Sequence, residues 1–245
     1  MRWQGEGLLL DVRKYGESSA LIDIFTLSLG RRIGLLKGAF NKKNKSIIQP
    51  GNQLFLTWNS RIEESLGVFK IELIKSRYHS ISEERSGLEI FNLICVLCST
   101  FLPERVEFDE LYNKTIEYIE GDFSTREKKF KKYIEWELQL LKSLGFGLDL
   151  SKCVVSGSKD DLRFVSPRSG CAVSRKSSIG WEKKLLVLPD FLRNTKLTNS
   201  LSKADLDNGF KLTEYFIKKN LQPVKRFQMD AFFNLRNRVL SFKSL

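Results

Sequence analysis

Four cysteines and one histidine are the residues of this chain best able to hold a metal or act as a nucleophile. Cys95 and Cys98 have the CxxC spacing of metal and redox sites, inside LEIFNLICVLCSTFL, residues 88–102. That run is apolar and helix-patterned. A free cysteine there behaves as a small hydrophobe, so a core role outweighs a redox one. Cys153 and Cys171 flank a polar segment where a structural zinc would be at home. Two thiolates with no histidine nearby leave a four-coordinate ion two ligands short, so no zinc site is expected. His79, in SRYHSISEE, has no nucleophile to activate. Gly145-Phe146-Gly147 begins a GxG, but Leu150 stands where a third glycine is needed. The run also follows a helix instead of a strand, so it is a helix stop and not a dinucleotide loop. No GxxxxGK[ST] occurs. Glu63-Glu64 and Asp160-Asp161 sit in turns without partners of matching spacing and are expected to be solvated. The sequence therefore predicts no metal, no cofactor and no catalysis.

The remaining chemistry is electrostatic. Net charge is +12, which points to a polyanionic partner, nucleic acid first and an anionic membrane surface second. Residues 30–46, GRRIGLLKGAFNKKNKS, carry six positive charges. No Asp or Glu occurs between Asp23 and Glu63, an interval holding seven Lys or Arg. Self-repulsion of that size is most easily tolerated where an anion binds. Arg31, Arg32, Lys37, Lys42, Lys43 and Lys45, with Arg13 and Lys14, are the expected phosphate contacts. Aromatics are interleaved with these charges: Tyr15, Phe25, Phe40, Phe55, Trp58 and Phe69. Most must fill a core. Tyr15 and Phe40 lie beside turns and are the two rings expected to stack on bases. Phosphate contacts fix position without reading sequence, so no base specificity is expected.

These groups need a scaffold. GLLLDV (7–12), SALIDIFT (19–26), RRIGLLKGAF (31–40), NQLFLTWNSRI (52–62) and GVFKIELIK (67–75) are apolar or alternating runs separated by turn residues. Five short strands with short connections predict a small closed barrel. An OB-fold fits, and an SH3-like barrel would leave a similar pattern. The hydrophobic period changes after residue 80. Helices are predicted over 82–102, with a Ser82-x-x-Arg85 start, over 108–119, and from a Ser124-x-x-Glu127 capping box to Gly145. Residues 151–184 break the pattern as an irregular insert with two short strands, VVSG and RFVS. Helices are expected to resume at KLLVLPDFLRN, after Ser202-x-x-Asp205, and through FQMDAFFNLRNRVLSF. The fold class is α+β: a five-stranded barrel over 1–80, then a mainly helical domain over 81–245 containing the insert. Residues 88–102 are shorter than the roughly 20 a spanning helix needs and contain Glu89 and Asn92. Glu6 and Asp11 interrupt the N-terminal apolar run, so no secretory signal is expected and the thiols are expected reduced, in the cytoplasm.

The order of these pieces resembles the RecO family of bacterial recombination mediators. GEGLLLDVRKYGESSALIDIFTLSLGR is similar to that family's opening, and KGAF followed by QPGNQLFLTW to its next strands. SLGFGLDLSKC and RFVSPRSGCAVS are similar to the start and the turn of its insert. The resemblance implies an N-terminal OB-fold, a helical domain and a cysteine-rich insert, which in some members carries zinc with C-x2-C-x17-C-x2-C spacing. The corresponding positions here are Cys153, Ser156, Ser174 and Ser177, a degenerate form. It also implies binding of single- and double-stranded DNA, strand annealing and action with RecR. Further implied are engagement of the acidic C-terminal tail of single-stranded DNA-binding protein and loading of RecA, at the nucleoid. A positive, Phe-rich helical domain suits such a tail, with Lys128, Lys129, Lys131, Lys132, Arg236 and Arg238 as rim groups. Three other readings use the same residues: an RNA-binding OB protein of translation or ribosome assembly, a metal-dependent nuclease seated in the insert, and an adaptor for acidic protein tails.

Overall fold

The computed structural model describes residues 1–62, 65–78, 81, 85–121, 125–193, 201–221 and 226–240. Glu63, Glu64, His79, Ser82 and Ser124 lie outside the described residues. Five strands form as the alternation predicts: β1 (Arg2–Tyr15), β2 (Ser19–Thr26), β3 (Arg31–Leu36), β4 (Gln53–Asn59) and β5 (Val68–Lys75). They close a barrel in the order β1-β2-β3-β5-β4, with β3 parallel to β5 and the other pairs antiparallel. That order is the OB arrangement and resolves the choice against an SH3-like barrel. β1 serves both halves. Arg2–Leu8 pair with β4, Gly7–Tyr15 pair with β2, and the register slips between Leu9 and Asp11. Such a bulge lets one long strand bend around the barrel.

Period two decides what is inside. Leu54, Leu56 and Trp58 of β4 are buried and their neighbours are not. They join Leu9, Ile22, Ile24, Leu36, Phe69 and Ile71 in the barrel core. Trp3 stacks on Trp58 with ring centres 5.9 Å apart and meets Phe69 edge-on at 5.8 Å. At Gly34 of β3 the Phe69 ring lies so close that a Cβ would stand 2.4 Å from its Cε2. Only glycine leaves room for that ring.

The chain forms two compact units, one of residues 1–120 with those from 230 on, the other of 121–229. The change of hydrophobic period near residue 80 marks the end of the barrel. Compactness divides the chain elsewhere, because helices α2 (Arg85–Phe101) and α3 (Asp109–Glu120) share the barrel's unit. α2 buries Ile90, Leu93, Ile94, Leu97 and Cys98 and packs against β1. Tyr112 of α3 meets Phe25 of β2 edge-on at 5.3 Å.

The second unit holds α4 (Arg126–Ser143), the insert and α5 (Lys203–Leu221). The cap of α4 is Thr125, one residue beyond the predicted Ser124; its hydroxyl accepts from the Lys128 N–H. Ser202 caps α5 as predicted, accepting from Asp205 N at 3.0 Å and donating to its carboxylate at 2.7 Å. Phe130 and Phe210 join α4 to α5, and Thr213 donates to the buried Glu137 at 2.6 Å. The insert contains β6 (Leu162–Val165), β7 (Ala172–Ser174) and β8 (Leu186–Val187) in the order β7-β6-β8. RFVS is a strand as predicted, but VVSG is a turn closed by Gly157 N donating to Cys153 O at 2.8 Å, with Val154 and Val155 exposed. KLLVLPDFLRN is not a helix. Leu186 and Val187 pair with β6, and Pro189, lacking an N–H, opens a short 3-10 turn at Asp190–Leu192. The last helix, α6 (Arg226–Leu240), belongs to the first unit from Asp230 onward. Among the described residues no helix is long and apolar enough to cross a membrane.

Candidate nucleic-acid interface

Two connections meet at one end of the barrel. Tyr15 pairs with Ser19 and Lys14 with Ala20, while Ala20 also pairs with Leu36. The β1–β2 hairpin tip and the chain leaving β3 at Lys37 therefore lie side by side. Residues 37–46 then fold into a compact turn. Gly38 adopts a φ of 62°, and its carbonyl accepts from Asn41 N at 3.2 Å and from the Asn44 side chain at 3.0 Å. The Asn41 side chain accepts from Asn44 N at 2.7 Å and caps the single helical turn α1 (Lys42–Lys45). The asparagines hold the backbone, and Lys37, Lys42, Lys43 and Lys45 are all exposed.

The electrostatics of this end are one-sided. Among the described residues, Lys14, Lys37, Lys42, Lys43 and Lys45 form no ion pair with a carboxylate. Arg13 pairs with Asp11 at 3.3 Å, both side chains about half exposed, an arrangement of little energetic weight. Glu17 in the hairpin tip is the one nearby acid without such a pair. Tyr15 is 56% and Phe40 39% exposed, as expected for rings beside turns. Exposed lysines release counterions from a phosphate backbone, and exposed rings offer stacking faces that every base can use.

Arg31 does not belong to this group. It sits at the opposite end of β3, six residues or about 20 Å of strand from Lys37. Its Nε and Nη2 donate to the Asp23 carboxylate at 2.9 and 2.7 Å, and Nη1 donates to Leu102 O at 3.0 Å. The guanidinium is a structural clamp, its three nitrogens all engaged within the fold. Burial raises the Asp23 carboxyl above its ordinary value, although the hydrogen bonds and charge of Arg31 pull it down. Arg32, beside it, is half-buried, lies over the Trp3 ring at 5.7 Å and donates to Leu29 O at 3.1 Å. Both arginines lie at the start of β3, away from the lysines at its other end.

The rim residues also divide. Lys128 and Arg238 are exposed. Lys131 and Lys132 share Glu135 at 3.9 and 3.4 Å, and Lys131 lies over Phe191 at 5.9 Å. Lys129 is buried, and desolvation lowers its pKa; Arg236 is 1% exposed. Neither of those two is a solvent-facing rim group, because each lies on the inward stripe of its helix. The four lysines belong to the second unit and the two arginines to the first.

Cys95 and Cys98 take the core role expected of them. Both are buried in α2, and burial pushes both thiols up. In the insert, Cys153 Sγ accepts from Ser156 N at 3.5 Å, and Ser174 Oγ donates to Ser177 Oγ at 3.1 Å. Burial raises the Cys153 thiol, but hydrogen bonds from Ser156 and Ser174 outweigh it and bring it to about 5. One thiol and three hydroxyls are not a zinc ligand set. The donors that would face an ion are hydrogen-bonded to one another, so the zinc of some family members finds no fitting residues here. Among the described residues no group of three or more His, Cys, Asp or Glu is placed to hold a metal.

Charge counting missed the residues that shape this end, Gly38, Asn41 and Asn44. Their signal is an asparagine three positions before another in a short polar run, the pattern of a cap. It also missed Asn52, whose side-chain carbonyl accepts from Arg77 N and Tyr78 N at 3.0 and 3.2 Å.

Fold and site together define an OB-barrel protein with an appended helical unit, presenting exposed lysines and two exposed rings at one barrel end. Residues 1–77 match the family model described as Recombination protein O N terminal, and residues 87–226 that of Recombination protein O C terminal. A DNA repair protein RecO of Cereibacter sphaeroides is 39% identical over 224 residues, 91% of each chain. That of Bradyrhizobium diazoefficiens is 36% identical over 232 residues, 94% of this chain and 92% of the relative. That of Roseobacter denitrificans is 39% identical over 225 residues, 90% of each. The chain belongs to the RecO family.

Proposed function

We propose that this chain is a non-enzymatic DNA repair mediator that binds single- and double-stranded DNA and anneals complementary strands. The observation that carries the reading is the lysine-rich barrel end: Lys14, Lys37, Lys42, Lys43 and Lys45, free of carboxylate partners among the described residues, beside Tyr15 and Phe40. Arg13 adds to it at the edge. Two DNA strands repel each other until their phosphates are neutralised. A surface with this excess of cations offsets that repulsion while the rings hold bases unstacked. The names of the relatives favour DNA over the structured RNA of a translation protein.

The family resemblance adds partners: RecR, the acidic tail of single-stranded DNA-binding protein and, through them, loading of RecA. Of the groups expected at the tail's rim, Lys128 is exposed on α4 with the half-buried Lys131 and Lys132 next to it, and Arg238 is exposed on α6; we assign the tail to the three lysines of α4. Charge reversal at Lys128 and Lys132 should abolish capture of a tail peptide. Retained capture would move the tail elsewhere.

A fluorescence annealing assay tests the main reading. Complementary strands should pair faster with the protein, including when coated by single-stranded DNA-binding protein, and structured RNA should compete poorly. No acceleration, or preference for the RNA, overturns it. Strand scission with Mg²⁺ or Mn²⁺ would revive the nuclease alternative.

A further inference from the structure

The outward face of β1, β4 and β5 carries a second arrangement that the lysine end does not explain. Inward-facing Leu54, Leu56 and Trp58 leave Phe55 and Thr57 pointing out. Register places Gln4, Thr57 and Lys70 in one row across the three strands, and Glu6, Phe55 and Glu72 in the next. Arg2 stands one row beyond, opposite Asn59. All of these side chains except Glu6 wall a cup of about 340 Å³. Ligand pockets start at about 300 Å³, so the cup fits one small ligand.

Its chemistry changes along the strands. Arg2 and Lys70 give a cationic end, and the row after Lys70 sets the half-buried Phe55 ring directly beside the acceptor-only Glu72 carboxylate. Glu6 is already engaged by Gln53 at 2.8 Å, and Gln4 donates to Thr57 at 3.1 Å. A nucleotide has the matching parts: an anionic phosphate at one end and, at the other, a flat ring whose edge in cytosine, adenine and guanine carries an amino donor. We propose that this cup holds one unpaired nucleotide, phosphate toward Arg2 and Lys70, base on Phe55 and amino edge on Glu72. A carboxylate accepts from the cytosine amino group, and thymine has none to give. The cup uses the N-terminal half of β1, whereas the lysine end uses Arg13 to Tyr15. The barrel then holds strands at two places, which is what annealing needs. This inference rests on the proposed DNA binding.

The test uses the full chain and short oligodeoxycytidine and oligodeoxythymidine, read by fluorescence anisotropy. The Lys42→Ala, Lys43→Ala, Lys45→Ala variant should still bind oligodeoxycytidine, and should prefer it to oligodeoxythymidine. Adding Phe55→Ala should cost about tenfold in affinity. Lys70→Glu, at an exposed site, should cost affinity without touching the fold, and Glu72→Gln should narrow the preference for cytidine. Unchanged affinity in both Phe55→Ala and Lys70→Glu overturns the cup alone. Failure of the unaltered chain to bind any oligonucleotide overturns the proposed function itself.

Discussion

Arg31 grips Asp23 with two nitrogens, at 2.9 and 2.7 Å, and with its third reaches the Leu102 carbonyl. Asp23 is 1% exposed, so this pair is buried and joins β2, β3 and the end of α2. Arg31→Ala would leave a carboxylate uncompensated in the interior, at a cost of about 3–5 kcal/mol. Urea unfolding at neutral pH measures it. Arg31→Met combined with Asp23→Leu should recover most of the loss. The Asp23 carboxyl is raised, so the native state favours its protonated form. Stability from this group therefore falls as pH rises from the ordinary value of about 3.9 through the raised one. Removing Arg31 should steepen that fall.

Replacing Lys42, Lys43 and Lys45 together with alanine should weaken DNA binding equally for all sequences. The salt dependence should flatten by up to about three charges, roughly two units of slope on a single strand. An unchanged slope would move the site off the barrel end. Arg31→Ala, by contrast, should leave the slope alone.

Gly34→Ala should destabilise the barrel by about 1–3 kcal/mol, the usual result of overpacking. Its Cβ would stand 2.4 Å from Phe69, which packs edge-on against Trp3. A shifted tryptophan emission, together with a lower denaturant midpoint, is the expected signature. Wild-type stability would show that the ring can move aside.

Glu120 accepts from Lys75 Nζ at 2.6 Å and from Arg77, and these hydrogen bonds hold its carboxyl below the usual range. A lowered acid contributes stability that is present above its ordinary value, about 4.3, and is lost as pH falls through the lowered one. Glu120→Gln should flatten that acid limb. The Glu120 side chain is 44% exposed, so the effect at neutral pH should stay under about 1 kcal/mol.

The insert should fold without metal. Elemental analysis of purified protein should find no stoichiometric zinc, and a chelator should leave the thermal midpoint unmoved. A midpoint that drops on chelation would show that Cys153 has metal-binding partners after all.

The barrel was legible because alternation at Leu54, Leu56 and Trp58 states which side of β4 is wet. Helix α2 was legible from its 3.6-residue stripe. The candidate site was only half legible. The acid-free interval was measured from Asp23, yet Asp23 itself neutralises Arg31 across β2 and β3. A charge count along the chain cannot see an acid placed on the neighbouring strand. VVSG has the residues of a strand, but a bond from Val154 N to Ala172 O of β7, at 2.9 Å, goes with the turn and does not extend into a ladder. In KLLVLPDFLRN the apolar spacing suits a helix, and sheet pairing of Leu186 and Val187 wins. The cup was invisible because Arg2, Phe55 and Lys70 are far apart in sequence and meet only through register.

One consequence of the way α6 rejoins the first unit concerns synthesis. The barrel's strands leave the ribosome early, but the body they belong to also needs residues from Asp230 on. Everything between 121 and 229 must be translated first. A chain cut short before Asp230 would thus lack part of the unit its first residues begin, and a nascent chain would carry that unit unfinished until Asp230 had been added.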